Sequence, residues 1–310
     1  MPIKHFINSA DLTKQDYDDI LRRFQYFVKA GISPDLCRGK VVATLFFQPS
    51  TRTMNMFQSA MLRMGGGWIG VMGEQGISME KGESFEDTIR EYSTYSDIIA
   101  LRHPDDDSAE RAALVSYVPV LNSGSGSREH AISIPWTLCN LAYFLNRPIH
   151  GLRVGIYGTP EINRVIKALV PILGFYEIEL FVDDLGHFPI PQDVENLAKA
   201  NGLKSIHYGK LDDFIGDIDA LLVTRGLQKG IIPPDKFSKE KEELILKTYK
   251  PINREHMQKM RKDAILCMLL PRIFEIEIDV DDDPRAIYSK RGPISEIGAA
   301  ILTYFLDIKI

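Results

Sequence analysis

The chain has 310 residues, 45% of them hydrophobic and 25% charged, and a formal net charge of −5 at pH 7. That length exceeds one ordinary domain and suits two of roughly 150 residues, each able to bury its own core. No basic block, no apolar run of roughly 18 residues and no charged-then-apolar leader is present, which argues against nucleic-acid, membrane-spanning and exported classes, while Cys37, Cys139 and Cys267 lack the paired spacing of a zinc site or disulfide framework and fit a reducing cytoplasm.

Asp11 to Ala30 reads as an amphipathic helix, with Leu12, Tyr17, Ile20, Leu21, Phe24 and Phe27 at helical spacing. Lys40 to Phe47 is a short apolar, β-branched run ending at Gln48-Pro49-Ser50, which predicts a buried strand feeding a loop. A helix follows over Thr53 to Met64, then a strand at Gly67 to Val71 and a helix over Asp87 to Tyr95. A further strand is predicted at Asp97 to Leu101, running into Arg102-His103-Pro104, and another at Val118 to Asn122, running into a Ser/Gly loop. A helix over Ile134 to Phe144 closes this series, and alternation of this kind argues for a parallel sheet covered by helices.

Asn146-Arg147-Pro148 reads as a boundary, after which the alternation restarts. Strands are predicted at Leu152 to Gly158, Ile178 to Val182, Asp219 to Thr224 and Ala264 to Leu269, with a helix over Asn163 to Leu173. Ala286 to Tyr288 and Ile294 to Phe305 are apolar at helical spacing, and the residues themselves leave open which domain that last helix joins. The fold class expected is α/β, with two doubly wound parallel-sheet domains.

Open parallel sheets bind ligands beyond the carboxyl ends of their strands, where helix N-termini present unpaired N–H groups. The loop Pro49-Ser50-Thr51-Arg52-Thr53 gathers three hydroxyls and a guanidinium at such a place, a donor set that suits a phosphate. An ordinary N-cap run would show the same residue types. Arg102 would bring a second cation to the same rim, and Ser78 to Glu83 offers Lys81 in a glycine-bearing loop. Gly155 and Gly158 follow a strand as in a dinucleotide fold, but the third glycine of that fingerprint is missing from Thr159-Pro160-Glu161-Ile162-Asn163, so a dehydrogenase is rejected.

Taken in order, Phe46 to Thr53, Ser78-x-x-Lys81-Gly82-Glu83 with Asp87-Thr88-Ile89, and Leu101-Arg102-His103-Pro104 resemble the aspartate transcarbamylase catalytic chain. So do Gly158 to Arg164, Thr224-Arg225 with Gln228-Lys229, Leu270-Pro271-Arg272, Glu275-Ile276 and the string Asp279 to Tyr288, and the resemblance runs nearly end to end. It implies transfer of a carbamoyl group from carbamoyl phosphate to the amine of L-aspartate, in pyrimidine biosynthesis, without metal or cofactor. Carried over, Ser50, Thr51, Arg52, Thr53 and Arg102 would hold the phosphate, and Thr53, Arg102 and His130 would polarise the carbonyl, with Ser133 beside the carbamoyl nitrogen. Arg164 and Arg225 would take the two carboxylates of aspartate, helped by Gln228, while Leu269 and Leu270 would orient the amine through main-chain carbonyls. Lys81 would come from the neighbouring subunit of a homotrimer, and a regulatory chain or a dihydroorotase would be the further partner. The implied domains are 1–146 with 293–310 for carbamoyl phosphate, and 147–292 for the amine, the C-terminal helix returning to the first.

Several departures fall on site positions, among them one added residue between Arg225 and Gln228. Gln48 stands for a glutamate, Met54 for an arginine, Ser133 for a glutamine, and Met268 for the histidine of a His-Pro-Leu-Pro-Arg signature. They leave two alternatives beside the aspartate reading: a transcarbamylase for another amine, and an impaired paralogue that binds anions or a partner enzyme.

Overall fold

A computed structural model describes residues 3–73, 78–227, 238–268, 270–290 and 292–310, which divide into two compact units, Met1–Cys139 with Pro293–Ile310, and Asn140–Gly292. The chain begins with α1 (Lys14–Ala30), β1 (Val41–Phe46), α2 (Arg52–Arg63), β2 (Gly67–Met72), α3 (Phe85–Tyr95), β3 (Ile98–His103), α4 (Ser108–Val115), β4 (Val120–Ser125) and α5 (Ser133–Leu145). It continues through β5 (Arg153–Tyr157), α6 (Arg164–Leu173), β6 (Glu179–Asp183), α7 (Gln192–Ala200), β7 (Ser205–Tyr208), α8 (Leu211–Phe214) and β8 (Ala220–Val223). It ends with α9 (Lys239–Thr248), α10 (Arg254–Lys259), β9 (Ile265–Met268) and α11 (Ile294–Phe305). No helix among the described residues is long and apolar enough to cross a membrane.

In the first unit the parallel strand order is β2-β1-β3-β4. Strand β1 is apolar and almost wholly buried, so both of its faces need helices. Ala43 and Leu45 join Ile99 and Leu101 against Phe85 and Ile89 of α3 and Ala109 and Ala112 of α4. On the alternate face Thr44 accepts a hydrogen bond from Gln58 of α2 at 2.9 Å, and α11 packs on α2 and α1. The closing helix therefore belongs to the first unit. Gly298 is what lets it approach α2: a Cβ there would stand 2.8 Å from the Ala60 Cβ and 2.9 Å from the Met56 carbonyl oxygen. Thr13 caps α1 in a reciprocal box with Asp16, which also accepts hydrogen bonds from Lys4, at 2.8 Å, and from Tyr304 of α11.

In the second unit the parallel order is β7-β6-β5-β8-β9. At its amino edge the Asp219 carboxylate, 5% exposed as a residue, accepts from the Arg153 N–H at 2.8 Å and pairs with Arg261 at 3.0 Å and with Arg147. Two cations and an amide surround that charge, which is what permits its burial.

The structure departs from the sequence expectations in detail. β3 continues through Arg102 and His103, because the Phe47 N–H beyond β1 donates to the Arg102 carbonyl at 2.8 Å and keeps the ladder going. β4 begins at Val120 and extends to Ser125, and the apolar triplet at Ala286 to Tyr288 is a 3-10 turn over Ile287–Ser289.

Candidate active site

Each sheet reverses its strand order once, and the arginines singled out above leave from those reversals. In the first unit the chain goes from β1 outward to β2 and returns to β3 on the other side, so the crevice lies between β1 and β3. Phe46 and Arg102 are register partners across it. Ser50, Thr51, Arg52 and Thr53 follow β1 directly, and Arg52 is the first residue of α2. The corresponding reversal in the second unit lies between β5 and β8, whose ends Tyr157 and Val223 are partners. Arg164 opens α6 after β5, and Arg225 lies just past β8.

Both helices have an arginine at the first position and no acidic residue in the first turn. A positive dipole end with a cation added is poor for helix stability and good for an anion. Thr51 occupies the N-cap of α2 in a helical conformation (φ −74°, ψ −39°) and makes no side-chain capping bond, so the ordinary capping role is not what its hydroxyl does. By contrast Asn163 caps α6, accepting from the Val165 and Ile166 N–H groups at 3.1 and 3.2 Å. Ser50 and Thr53 are half-buried, and Thr51 and Arg52 are exposed.

Arg102 donates to the Ser123 carbonyl of β4 at 3.4 Å, which draws its side chain along the strand ends. Its neighbour His103 is structural, 7% exposed, with its ring against Phe47 and Phe85 at centroid distances of 5.1 and 4.8 Å. His130 lies in the loop between β4 and α5, and Ser133 is the first residue of α5. The His130 N–H donates to the buried Glu129 carboxylate at 2.8 Å, and its carbonyl accepts from both the Ser133 N–H, at 2.9 Å, and the Ser133 hydroxyl, at 2.6 Å. With its proton committed to the main chain, Ser133 offers a ligand only lone pairs, and an amide NH2 needs an acceptor. Lys81 is exposed at the end of the turn Ser78–Lys81 and makes no ion pair among the described residues.

In the second unit Arg164 is 4% exposed and Arg225 is half-buried. Burial lowers the pKa of the Arg225 guanidinium, an effect that nearby Glu275 opposes. A desolvated cation of this kind gains most from an incoming carboxylate. Leu270 is half-buried just past β9, whereas Gln228 and Leu269 lie outside the described residues. Met268, at the position of the lost histidine, ends β9 with 2% exposure and packs in the core.

Sequence reasoning reads Arg272, Glu275 and the string Asp279 to Tyr288 as family pattern, and the structure supplies their local work. Arg272 forms a forked pair with Asp281, which also accepts from Tyr288 at 2.8 Å. Glu275, fully buried, accepts from the N–H groups of Gly226 at 2.9 Å, Ile273 at 2.7 Å and Phe274 at 3.1 Å, joining the loops after β8 and β9. Among the described residues no group of three or more His, Cys, Asp or Glu side chains is placed to hold a metal ion.

Residues 4–134 match the model of the carbamoyl-phosphate-binding domain of aspartate/ornithine carbamoyltransferases. The aspartate carbamoyltransferase catalytic subunit of Methanocaldococcus jannaschii is 36% identical over 295 residues, covering 94% of this chain and 93% of that one. The chain belongs to the aspartate carbamoyltransferase family. The fold agrees: a solved catalytic subunit of M. jannaschii aspartate transcarbamoylase matches with a TM-score of 0.83 and 32% identity over 98% of both chains. Aspartate transcarbamoylase from Trypanosoma cruzi, solved with carbamoyl phosphate and aspartate, matches with a TM-score of 0.82 and 26% identity over 98% of this chain and 96% of that one.

Proposed function

We propose that this chain transfers the carbamoyl group of carbamoyl phosphate to the amine of L-aspartate, giving N-carbamoyl-aspartate and phosphate in pyrimidine biosynthesis. The observation that carries the reading is that Ser50 to Thr53, Arg102, and the segment from His130 to Ser133 at the start of α5 follow the ends of three neighbouring strands of one sheet. Ser50, Thr51, Arg52 and Thr53 hold the phosphate at the start of α2, with Arg102 beside them. Thr53, Arg102 and His130 donate to the carbamoyl oxygen, where negative charge grows as the amine attacks the carbonyl carbon. Ser133 accepts from the carbamoyl nitrogen. The C–N bond forms, the bond from carbon to the phosphate oxygen breaks, and the departing phosphate takes the amine proton.

Arg164 and Arg225 bind the two carboxylates of aspartate, with Gln228 assisting and the main-chain carbonyls of Leu269 and Leu270 orienting the amine. The carbamoyl-phosphate domain is then 1–146 with 293–310, and the aspartate domain 147–292. Lys81 enters from the neighbouring subunit of a homotrimer in the cytoplasm, with a regulatory chain or a dihydroorotase as a further partner. No metal or cofactor takes part in these steps.

The test is an assay of carbamoyl phosphate against aspartate and a panel of other amines. N-carbamoyl-aspartate is the product expected, and Arg52→Ala should cut turnover by a factor on the order of 10² to 10³. Product with ornithine but not aspartate would transfer the chain to another acceptor. No product, together with no thermal shift at millimolar carbamoyl phosphate, would leave the impaired paralogue that binds a partner enzyme.

A further inference from the structure

Beyond β8 the main chain leaves the sheet, and its polar groups need partners away from the ladder. Three consecutive residues find them in side chains. The Thr224 carbonyl accepts the Tyr249 hydroxyl at 2.6 Å, the Arg225 carbonyl accepts the Thr159 hydroxyl at 2.9 Å, and the Gly226 N–H donates to Glu275 at 2.9 Å. The Thr159 N–H adds a bond to the Thr224 hydroxyl at 2.7 Å. Thr159 is fully buried and Tyr249 is 5% exposed, so neither reaches solvent to any useful degree.

Tyr249 is itself held from several sides. Its ring meets Tyr157 at a centroid distance of 5.1 Å and Phe274 at 5.4 Å, both edge-on. The Tyr157 hydroxyl donates to the Lys250 carbonyl at 2.6 Å and accepts from the Lys250 N–H at 3.1 Å, fixing the residue after Tyr249. At Gly158, with φ at +122°, a Cβ would come within 2.3 Å of the Thr224 hydroxyl oxygen and 2.8 Å of the Tyr249 ring, so ring, loop and strand end are in close contact. Burial also raises the Tyr249 pKa far above the ordinary phenol, which keeps the hydroxyl a donor.

We propose that Tyr249 and Thr159 are positioning residues for Arg225: they clamp the two carbonyls on either side of its main chain and so set where the guanidinium meets the acceptor's carboxylate, without touching that carboxylate. The inference rests on the assignment of Arg225 to the acceptor half. Arginine has a long, flexible side chain, and a carboxylate fork tolerates little error at its base. Removing the Tyr249 hydroxyl takes the donor from a buried carbonyl, removing that of Thr159 takes it from a partly buried one, and either lets the peptide relax.

The test uses four variants of the full chain: Tyr249→Phe, Thr159→Val, Thr159→Ser and Arg225→Ala. Tyr249→Phe and Thr159→Val should each raise the KM for aspartate about tenfold, the effect of a buried hydrogen bond of ~1.4 kcal/mol, with kcat and the KM for carbamoyl phosphate little changed. Thr159→Ser keeps the donor and should restore the native aspartate KM. Melting temperatures with and without phosphate report whether each variant is folded. If Arg225→Ala raises the aspartate KM while Tyr249→Phe and Thr159→Val leave it alone, the positioning role is wrong. If both substrates' KM values rise together as the melting temperature falls, the two hydroxyls are merely structural and the proposal is overturned. Should Arg225→Ala itself leave the aspartate KM unchanged, the acceptor assignment fails, and this inference with it.

Discussion

Glu275 accepts three main-chain N–H groups from two loops while fully buried, so its removal leaves the buried Gly226 N–H without a partner and frees those of Ile273 and Phe274, which are only partly buried. A buried donor left unsatisfied costs about 1 to 3 kcal/mol, and Glu275→Ala should destabilise the protein by about that much. The thermal shift produced by phosphate should survive, because that anion is assigned to residues of the other unit; melting curves with and without phosphate check both points. The cysteines give a second residue-scale expectation. Cys37, Cys139 and Cys267 are all buried, and burial pushes the Cys37 thiol up to about 11 and that of Cys267 up to about 12. A thiol reagent at pH 8 should label none of them in the native protein and all of them after unfolding. Residues of this kind differ in how legible they are. Ser50 to Thr53 announce themselves by crowding hydroxyls and a guanidinium into one loop, whereas Thr159 and Tyr249 act on a peptide 66 and 25 positions away and look like ordinary loop and core residues in the sequence.

At the scale of elements, the contact of α11 with α1 and α2 depends on a small residue and a small polar network. Gly298→Val should cost about 1 to 3 kcal/mol, since its Cβ would press on Ala60 and on the Met56 carbonyl, a main-chain atom that does not move aside; chemical denaturation measures it. Burial opposes ionisation of Asp16, but hydrogen bonds from Lys4, Tyr304 and Thr13 outweigh it and hold the carboxyl well below the usual 3.8. A group with a depressed folded pKa contributes fully above its unfolded value and loses that contribution as pH falls through the folded one. The stability difference between the native chain and Asp16→Asn should therefore stay constant above about pH 5 and shrink below 3.8, as denaturation at a series of pH values would show. The buried strands β1, β3, β5, β8 and β9 are readable as apolar runs because both their faces are covered. The edge strand β7 has half-exposed and exposed side chains and gives no such run, and α9 is a charged surface helix, so neither is visible in the pattern. α4 and α7 are likewise missed: the first is short and alanine-rich, and the second buries only Ala198.

At the scale of the whole molecule, the proposed trimer makes a distinct prediction. Lys81 is exposed and free of ion pairs within its own chain among the described residues, as a residue destined for a neighbour's site would be. Arg52→Ala and Lys81→Ala subunits, each nearly inactive alone, should regain activity when dissociated together and reassembled, because some sites then combine an intact Arg52 with an intact Lys81. An absence of recovery in mixed trimers confirmed by native mass would place Lys81 in its own chain's site. The two-sheet plan is legible in the sequence as alternation restarting after Asn146-Arg147-Pro148, but the partner of the last helix is not, since an apolar helix matches many apolar faces. Its return to the first unit has a temporal consequence. The second unit is a continuous stretch, Asn140–Gly292, and every residue of it is synthesised before α11 exists. It can close its core on a growing chain while the first unit still lacks the helix that covers α2, so the unit begun second is free to be the first completed.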